Sequence, residues 1–432
     1  MPTNIATPKE AHLAKNILWL YALQGMNYLI PIMLLPYLVR VLGVGQYGLV
    51  AFSQAIAQYF TIATDYGFNF TATRQIALHR HDPAAVSRIF YSVIGIKIVL
   101  VTIGAALMLG AIAFIPRLRT DGGIYLAAYL AVVGSALFPV WLFQGMERMQ
   151  FISIISGASK LVAAGSIFLL VRGPQHTFRA TLLQSAGFLI AGLIGLGISM
   201  RYYAPRIQIP KRRDLLLMFT EGWHVFLSTA SITLNTNTNT FLVGLIAGNV
   251  QAGYFSLADK MIRAVTGLIF PFLQAGYPHI VRLIQVSRER ALLFFQRTVS
   301  WGVAAGLVLA PVLFFFASPI ATLALGRGAG GVAPVLRVVS LFPVLAVVTA
   351  SMGMLLFIPF GLEKLYSRLV LAAGIANVVL CFILIPPLGA AGAATAMLLM
   401  ETVLLIGGWY LLRRNGIGSL FTLKLPEFEA NN

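Results

Sequence analysis

Long apolar segments recur along the whole chain, and they constrain its fold more than any other feature. A helix needs about 20 mostly apolar residues to cross the hydrocarbon layer of a bilayer. The 432 residues are 59% hydrophobic and only 10% charged, with a mean hydropathy of +0.86. Ordinary soluble domains carry about 25% charged residues, so a soluble enzyme is excluded. The sequence predicts an all-α integral membrane protein without a separate soluble domain.

A window of spanning length predicts twelve transmembrane helices. They are 17–39, 48–67, 89–115, 123–143, 151–171, 181–200, 215–246, 252–274, 291–316, 332–359, 366–385 and 389–412. Segment 17–39 is longer than the apolar region of an export signal, so it is interpreted as the first span. The second and seventh spans are the most polar, and the seventh contains the Asn/Thr run 235–240.

The distribution of basic residues predicts that both termini are cytoplasmic. The chain has 31 Lys and Arg against 13 Asp and Glu, a net charge of +18. With cytoplasmic termini, 21 of the basic residues fall in inner segments and 7 in outer ones, as the positive-inside rule requires. Most of the charge therefore reflects topology, and no nucleic acid partner is expected. The single cysteine, Cys381, allows no internal disulfide.

Two short motifs repeat about half a chain apart. Segment 43–48 matches 248–253 at an offset of 205, and 145–149 matches 361–365 at an offset of 216. They predict two pseudo-symmetric six-helix bundles with a central cavity, at 1–208 and 209–415, followed by a cytoplasmic tail at 416–432. The glycines of the first motif are expected at positive φ or at close backbone contacts. The alternative is that any two apolar helical hairpins look alike.

Charged residues within the spans are candidates for function, because a charge at the bilayer centre costs at least about 2.5 to 3.5 kcal/mol. Asp259 and Arg263 lie four residues apart on one helix, which also fits a self-neutralised structural pair. The predicted binding site for an anion such as pyrophosphate comprises Lys97, Lys160, Lys260 and Arg263. For Lys97 and Lys160 the alternative is snorkelling to the interface. The candidate ion-coupling residues are Asp65, Asp259 and Glu401.

Amide side chains supply donors and acceptors suited to sugar hydroxyls. The predicted sugar contacts are Gln24, Asn27, Gln54, Asn235, Asn237 and Asn239. The alternative is that these amides hydrogen-bond between helices. The chain has no phosphate-binding glycine loop ending in Gly-Lys-Ser/Thr and no clustered acids in its spans for a divalent metal. Neither a cofactor, a metal site nor a catalytic residue is therefore expected.

Four segments, together with Lys15-Asn16, resemble one family of membrane proteins. They are PYLVRVLG at 36–43, GQYG at 45–48, WLFQGMERM at 141–149 and PLGAAGAA at 387–394. The chain resembles, over essentially its whole length, the Wzx-type O-antigen and polysaccharide flippases of the multidrug/oligosaccharidyl-lipid/polysaccharide exporter superfamily. In such a protein an acid is expected near the polar run of span seven, where this chain has only Asn and Thr.

The resemblance implies both a mechanism and a location. It implies alternating access by two bundles that move undecaprenyl-pyrophosphate-linked oligosaccharide from the cytoplasmic to the periplasmic leaflet of a bacterial inner membrane. It also implies contact with membrane lipids and work beside a polysaccharide polymerase and a chain-length regulator.

Three other function classes are weighed against a flippase. A multidrug and toxin extruder driven by sodium or protons requires an acidic cavity. The deeper charges instead sum to +2, with Asp65 left out because it lies near the cytoplasmic end of its span; they are Lys97, Lys160, Lys260 and Arg263 against Asp259 and Glu401. A membrane polymerase or glycosyl transferase lacks support, since the chain has neither a large external loop nor clustered acids. An assembly subunit without transport is less consistent with the internal repeat.

Overall fold

The computed structural model describes residues 30–31, 33–204, 207–208, 212–267, 270–326 and 330–417. Gln24 and Asn27 lie outside these residues, and so do the side chains of Asn235 and Asn237. The described residues fold into helices joined by short turns, with no strand among them. The all-α class predicted from the apolar segments is confirmed.

The chain divides into two compact units, which we describe separately. Unit 1 comprises Met1–Ser256 and Ala321–Gly330, and unit 2 comprises Leu257–Ile320 and Gly331–Asn432. The bundle boundary predicted between residues 208 and 209 stays a prediction.

Unit 1 is built around the long helices that follow the first apolar segment. Its helices are α1 (Met33–Leu42), α2 (Val44–Asp65), α3 (Phe68–His79), α4 (Pro83–Phe114), α5 (Pro116–Arg119), α6 (Gly122–Leu137), α7 (Val140–Gly145), α8 (Met149–Leu170), α9 (Thr177–Tyr202) and α10 (Arg212–Ala247). Helix α6 packs on α9, α8 packs on α9, and α2 packs on both α6 and α10. Large buried side chains such as Phe90 and Trp141 fill the core.

Helix α11 (Asn249–Thr266) continues from unit 1 into unit 2. The remaining helices are α12 (Phe270–Val286), α13 (Arg288–Phe315), α14 (Ala317–Leu325), α15 (Val332–Val339), α16 (Phe342–Ser351), α17 (Glu363–Leu388) and α18 (Ala390–Arg414), with a π-helix at Met352–Phe357 after α16. Helix α17 packs on α18, and α16 packs on α13 and α18. Helix α14 continues from unit 2 back into unit 1.

Seven described helices are long and apolar enough to cross a membrane, and a bent pair at 332–357 makes up to eight. They correspond to the third to sixth and the ninth to twelfth predicted spans. The first span lies partly outside the described residues. The second, seventh and eighth form helices α2, α10 and α11, whose polar residues lower their hydropathy. The chain is therefore a multi-pass membrane protein, and the number twelve stays a prediction.

Local sequence signals fix several helix ends. Asp82 accepts hydrogen bonds from the N–H groups of Ala84 and Ala85, and Pro83 occupies the first position of α4, which is the expected pattern for a helix N-terminus. Gly43 and Gly248 have φ of 78° and 92°. Residues other than glycine rarely adopt these angles, so the expectation for the glycines that begin the first repeat motif is confirmed.

The second repeat motif also forms similar turns in both copies, but in a shifted register. The residues with positive φ are Glu147, at 57°, and Gly361, at 71°. In each turn the next N–H bonds to the carbonyl five residues earlier, at Phe143 and Phe357, which is a Schellman-type helix end. The turns therefore align at an offset of 214, whereas the sequence match gave 216.

The described helices differ from the predicted spans in three places. Helix α11 ends at Thr266 and α12 begins at Phe270, both within predicted span 252–274. Between predicted spans, residues 317–325 form helix α14 and residues 68–79 form helix α3. Hydropathy alone does not detect these short or polar helices, because their stability depends on packing against neighbours.

Candidate functional site

Lys97, on α4, is a buried cation that pairs with Asp65 at the end of α2. Its side chain is 2% exposed, and its Nζ donates to Asp65 Oδ1 at 2.8 Å. A carboxylate is unfavourable at the C-terminus of a helix, and the ammonium group offsets its charge. Lys97, predicted to bind an anionic substrate, thus neutralises an acid that was predicted to couple ions.

Helix α11 carries a second ion pair, between Asp259 and Arg263. The Arg263 Nε lies 2.8 Å from each carboxylate oxygen of Asp259. The i, i+4 spacing with the acid first predicts this contact, and the structure contains it. Lys260 follows Asp259 on the same helix, and its side chain is exposed. Helix α11 therefore presents one exposed lysine beside a paired acid and base.

Glu401, on α18, is a buried carboxylate in unit 2. It is 8% exposed, and its Oε2 accepts a hydrogen bond of 2.6 Å from Thr349 Oγ1 on α16. Arg263 interacts electrostatically with Glu401 as well as with Asp259. Arg263 therefore interacts with one carboxylate on α11 and one on α18.

Lys160 lies on α8 in unit 1, with its Nζ 5.8 Å from the centre of the Phe188 ring on α9. An ammonium group over an aromatic face is attracted by the ring quadrupole, which partly replaces water around the charge. The lysine is half-buried. It therefore lies at the packed face between α8 and α9, a placement that residue spacing alone does not reveal.

Of the described amide side chains predicted to bind sugar, Gln54 contacts another helix of unit 1. Gln54 Nε2 donates to Gln184 Oε1 at 2.8 Å, which joins α2 to α9. Asn239 is buried beside Thr238, whose hydroxyl shares a hydrogen bond of 2.9 Å with Tyr59. For Gln54 these contacts correspond to the interhelical alternative to sugar binding.

A tight helix crossing and an arginine hold the N-terminus of α11 and the C-terminus of α10 within unit 1. A Cβ added to Gly48 would collide with the carbonyl of Asn249, and one added to Gly253 would lie 2.5 Å from the Val44 carbonyl oxygen. Arg117 donates to the carbonyls of Gly244 and Leu245 at the end of α10. The cation offsets the partial negative charge of that helix end.

Sequence reasoning missed Gln184, Phe188 and Thr349, which contact three of the predicted site residues. Each is an ordinary polar or aromatic residue of an apolar helix, and it lies at least 28 residues from its partner along the chain. No local pattern marks such residues.

Comparison with known proteins identifies the family. The model of the polysaccharide biosynthesis protein family matches residues 13–284. A protein of Escherichia coli (strain K12) named "Putative O-antigen transporter" is 30% identical over 390 residues, which cover 90% of this chain and 94% of that protein. A protein of Shigella dysenteriae with the same name is 29% identical over 395 residues, 91% of this chain and 98% of that one.

Solved structures show the same fold. An inward closed conformation of the lipid II flippase MurJ has a TM-score of 0.70 at 14% identity, with 92% of this chain and 87% of that chain covered. An inward-facing multidrug resistance transporter of the MATE family has a TM-score of 0.64 at 16% identity, with 91% and 96% covered.

The fold and these matches define a multi-pass, all-helical membrane transporter. The chain belongs to the polysaccharide biosynthesis protein family, and the resemblance to Wzx-type flippases found in the sequence is confirmed.

Proposed function

We propose that the protein is a flippase that moves an undecaprenyl-pyrophosphate-linked oligosaccharide from the cytoplasmic to the periplasmic leaflet of a bacterial inner membrane. The observation that carries the proposal is the match to O-antigen transporters over 90% of the chain. The likeness of the fold to a lipid II flippase is consistent with a lipid-linked sugar as substrate.

In the proposed cycle, twelve spans form two six-helix bundles with cytoplasmic termini, and the bundles rock to expose a central cavity to each side in turn. The lipid remains in the bilayer while the polar head group enters the cavity. This arrangement avoids placing pyrophosphate in hydrocarbon, where a charged group is unstable without partners. A polymerase and a chain-length regulator would receive the translocated unit.

The cations of α11 are the favoured head-group ligands. Lys260 and Arg263 lie within one turn of each other, and Lys260 is exposed. Charged donors form strong hydrogen bonds with phosphate oxygens. Lys97 is a weaker candidate because only 2% of its side chain is exposed, against 39% for Arg263. Lys160 is assigned to the same role from the other half of the chain.

Glu401 is the favoured ion-coupling residue among the three candidate acids. Asp65 and Asp259 each pair with one cation, whereas Glu401 shares Arg263 and binds a neutral hydroxyl. A carboxylate with incomplete charge compensation in a buried site favours binding a proton or another cation. The same carboxylate also fits a cation-coupled extruder, which we retain as the second candidate function.

Reconstitution in liposomes tests the proposal. A short polyprenyl-pyrophosphate oligosaccharide would be placed in one leaflet, and its appearance in the other measured for wild type, Lys260→Gln and Arg74→Gln. Arg74 is an exposed cation on α3 and serves as the matched control. Loss of a charged hydrogen bond costs about 1.5 to 3 kcal/mol, so Lys260→Gln should lower flipping at least about tenfold.

Two results would contradict the proposal. Equal flipping by Lys260→Gln and Arg74→Gln would show that Lys260 does not bind the head group. If the lipid-linked sugar stays in its leaflet while a cationic dye is expelled along a sodium or proton gradient, the protein is an extruder.

A further inference from the structure

We propose that a pocket in unit 2 binds the phosphate head group of an anionic phospholipid at the inner membrane surface. The pocket is a depression of about 390 Å³, within the size range of small-molecule sites. It is lined by Ile284, Arg288, Phe360, Leu362, Asn415 and Ile417. Apolar side chains and one guanidinium therefore meet in a single open site, the combination that a lipid phosphate with its attached glycerol requires.

The pocket lies where three membrane-spanning helices reach the same membrane surface. Arg288 begins α13, Leu362 precedes α17, and Asn415 follows α18, and each of these helices has spanning length. Trp409 lies near the end of α18, and the guanidinium of Arg413 lies 5.3 Å from the centre of its ring. Tryptophan favours the interface between hydrocarbon and water, so the pocket is at head-group depth.

Two contacts hold the Arg288 side chain in position and leave N–H donors for a ligand. One of its terminal nitrogens donates to the Gly416 carbonyl at 3.1 Å, and its guanidinium lies 5.3 Å from the centre of the Phe360 ring. A guanidinium has five N–H donors, and its charge forms no ion pair with a carboxylate in the described part of the chain. Donors therefore remain for a phosphate oxygen, on a side chain that the ring and the carbonyl already orient.

The surroundings of the pocket are basic. The helix ends that form it carry five exposed cations and two exposed acids, namely Arg288, Arg290, Lys364, Arg413 and Arg414 against Glu289 and Glu363. The positive-inside rule places these ends at the cytoplasmic surface, where anionic lipids give the membrane a negative potential. A net charge of +3 at that depth is complementary to an anionic head group and not to a zwitterionic one.

Native mass spectrometry of the full-length protein in detergent tests this inference. Equal amounts of phosphatidylglycerol and phosphatidylcholine would be offered to wild type, Arg288→Gln and Arg201→Gln. Arg201 is an exposed arginine beside an aromatic ring, Tyr202, at the end of α9, and it is the matched control. Wild type and Arg201→Gln should retain phosphatidylglycerol preferentially, whereas Arg288→Gln should retain it at least about fivefold less.

A second variant tests the pocket in case Arg288→Gln does not fold. Asn415 is exposed, and Asn415→Glu adds a negative charge to the pocket without opening a buried space. It should lower phosphatidylglycerol retention by a similar factor and leave phosphatidylcholine unchanged.

Three outcomes would overturn the inference. The first is that wild type retains both lipids equally. The second is that Arg288→Gln and Arg201→Gln lose the same amount of phosphatidylglycerol. The third is that millimolar inorganic phosphate displaces bound phosphatidylglycerol as effectively as added phosphatidylglycerol does. The experiment measures bound lipid and not flipping. Loss of the lipid site would therefore leave the proposed flippase function untouched, and failure of the flippase function would leave the lipid site untouched.

Discussion

Removing the carboxylate of Asp65 should destabilise the protein far more than removing a surface ion pair. In Asp65→Ala the Lys97 ammonium, 2% exposed, loses its partner at 2.8 Å. Breaking a buried pair on one side costs about 3 to 5 kcal/mol in the free energy of unfolding, because an uncompensated charge remains. Lys97→Met should cost less, since Asp65 is 27% exposed and its carboxylate can be hydrated.

The double variant separates the cost of an orphaned charge from the value of the pair. With both charges removed, Asp65→Ala/Lys97→Met should lie within about 1 kcal/mol of wild type, because a methionine fills the buried volume without a desolvation penalty. The two single costs therefore should not add. Their coupling energy should be at least about 3 kcal/mol, the upper end of the usual range for residues in contact.

Thermal unfolding in detergent, followed by circular dichroism, ranks the variants. The control is Arg80→Ala, which removes a surface pair with Glu147 that has a similar N to O distance, 2.9 Å, but side chains 42% and 60% exposed. Such a pair contributes about 0.2 to 1 kcal/mol. If Asp65→Ala unfolds no earlier than Arg80→Ala, or if the double variant shows the sum of the single losses, the reasoning from burial is refuted.

Flipping assays on the same variants also determine the role of Lys97. If Lys97 only compensates Asp65, the folded double variant should flip substrate at the wild-type rate. If Lys97 binds the head group, the double variant should be stable and inactive. Stability and transport thus distinguish a structural pair from a binding cation.

Three further predictions concern helix contacts and the buried acid. Gly48→Ala should lower both the unfolding midpoint and the flipping rate, since its new methyl group would collide with the Asn249 carbonyl; thermal scans and the liposome assay measure the two effects. Arg117→Ala should cost about 1 to 3 kcal/mol by leaving the end of α10 uncapped, whereas Arg119→Ala should cost under about 0.5, as compared by thermal unfolding. Glu401→Gln can keep the hydrogen bond with Thr349 but removes the charge, so flipping should no longer respond to an imposed pH gradient; an unchanged response would exclude Glu401 as the coupling group.

The helical fold could be predicted from the sequence because its main signals are local. Apolar length defines most spans, and a glycine at the start of each repeat motif marks positive φ at Gly43 and Gly248. The end of α11 at Thr266 could not be predicted in the same way. An apolar run continues along the sequence past this residue, so hydropathy alone does not mark where the helix ends.

In the candidate site, too, contacts within one helix could be predicted and contacts between helices could not. The contact of Asp259 with Arg263 follows from four residues of spacing on one helix. The contacts of Lys97 with Asp65 and of Glu401 with Thr349 join different helices, 32 and 52 residues apart. The net charge of +2 given for the deep residues left out Asp65. Because Lys97 pairs with Asp65, the acid belongs in the sum, and the net charge falls to +1.

These pairings bear on where phosphate can bind. Lys97 and Arg263 each contact a carboxylate, and an anion that displaces a carboxylate from either cation must leave that acid without its partner. Cations with exposed side chains are accessible to a phosphate group, and on this chain they include Arg288, at a predicted cytoplasmic helix end, and Lys260 on α11. In the proposed flippase cycle, the pyrophosphate of the substrate should therefore first contact these exposed cations, before the head group reaches the paired charges of Lys97 and Arg263.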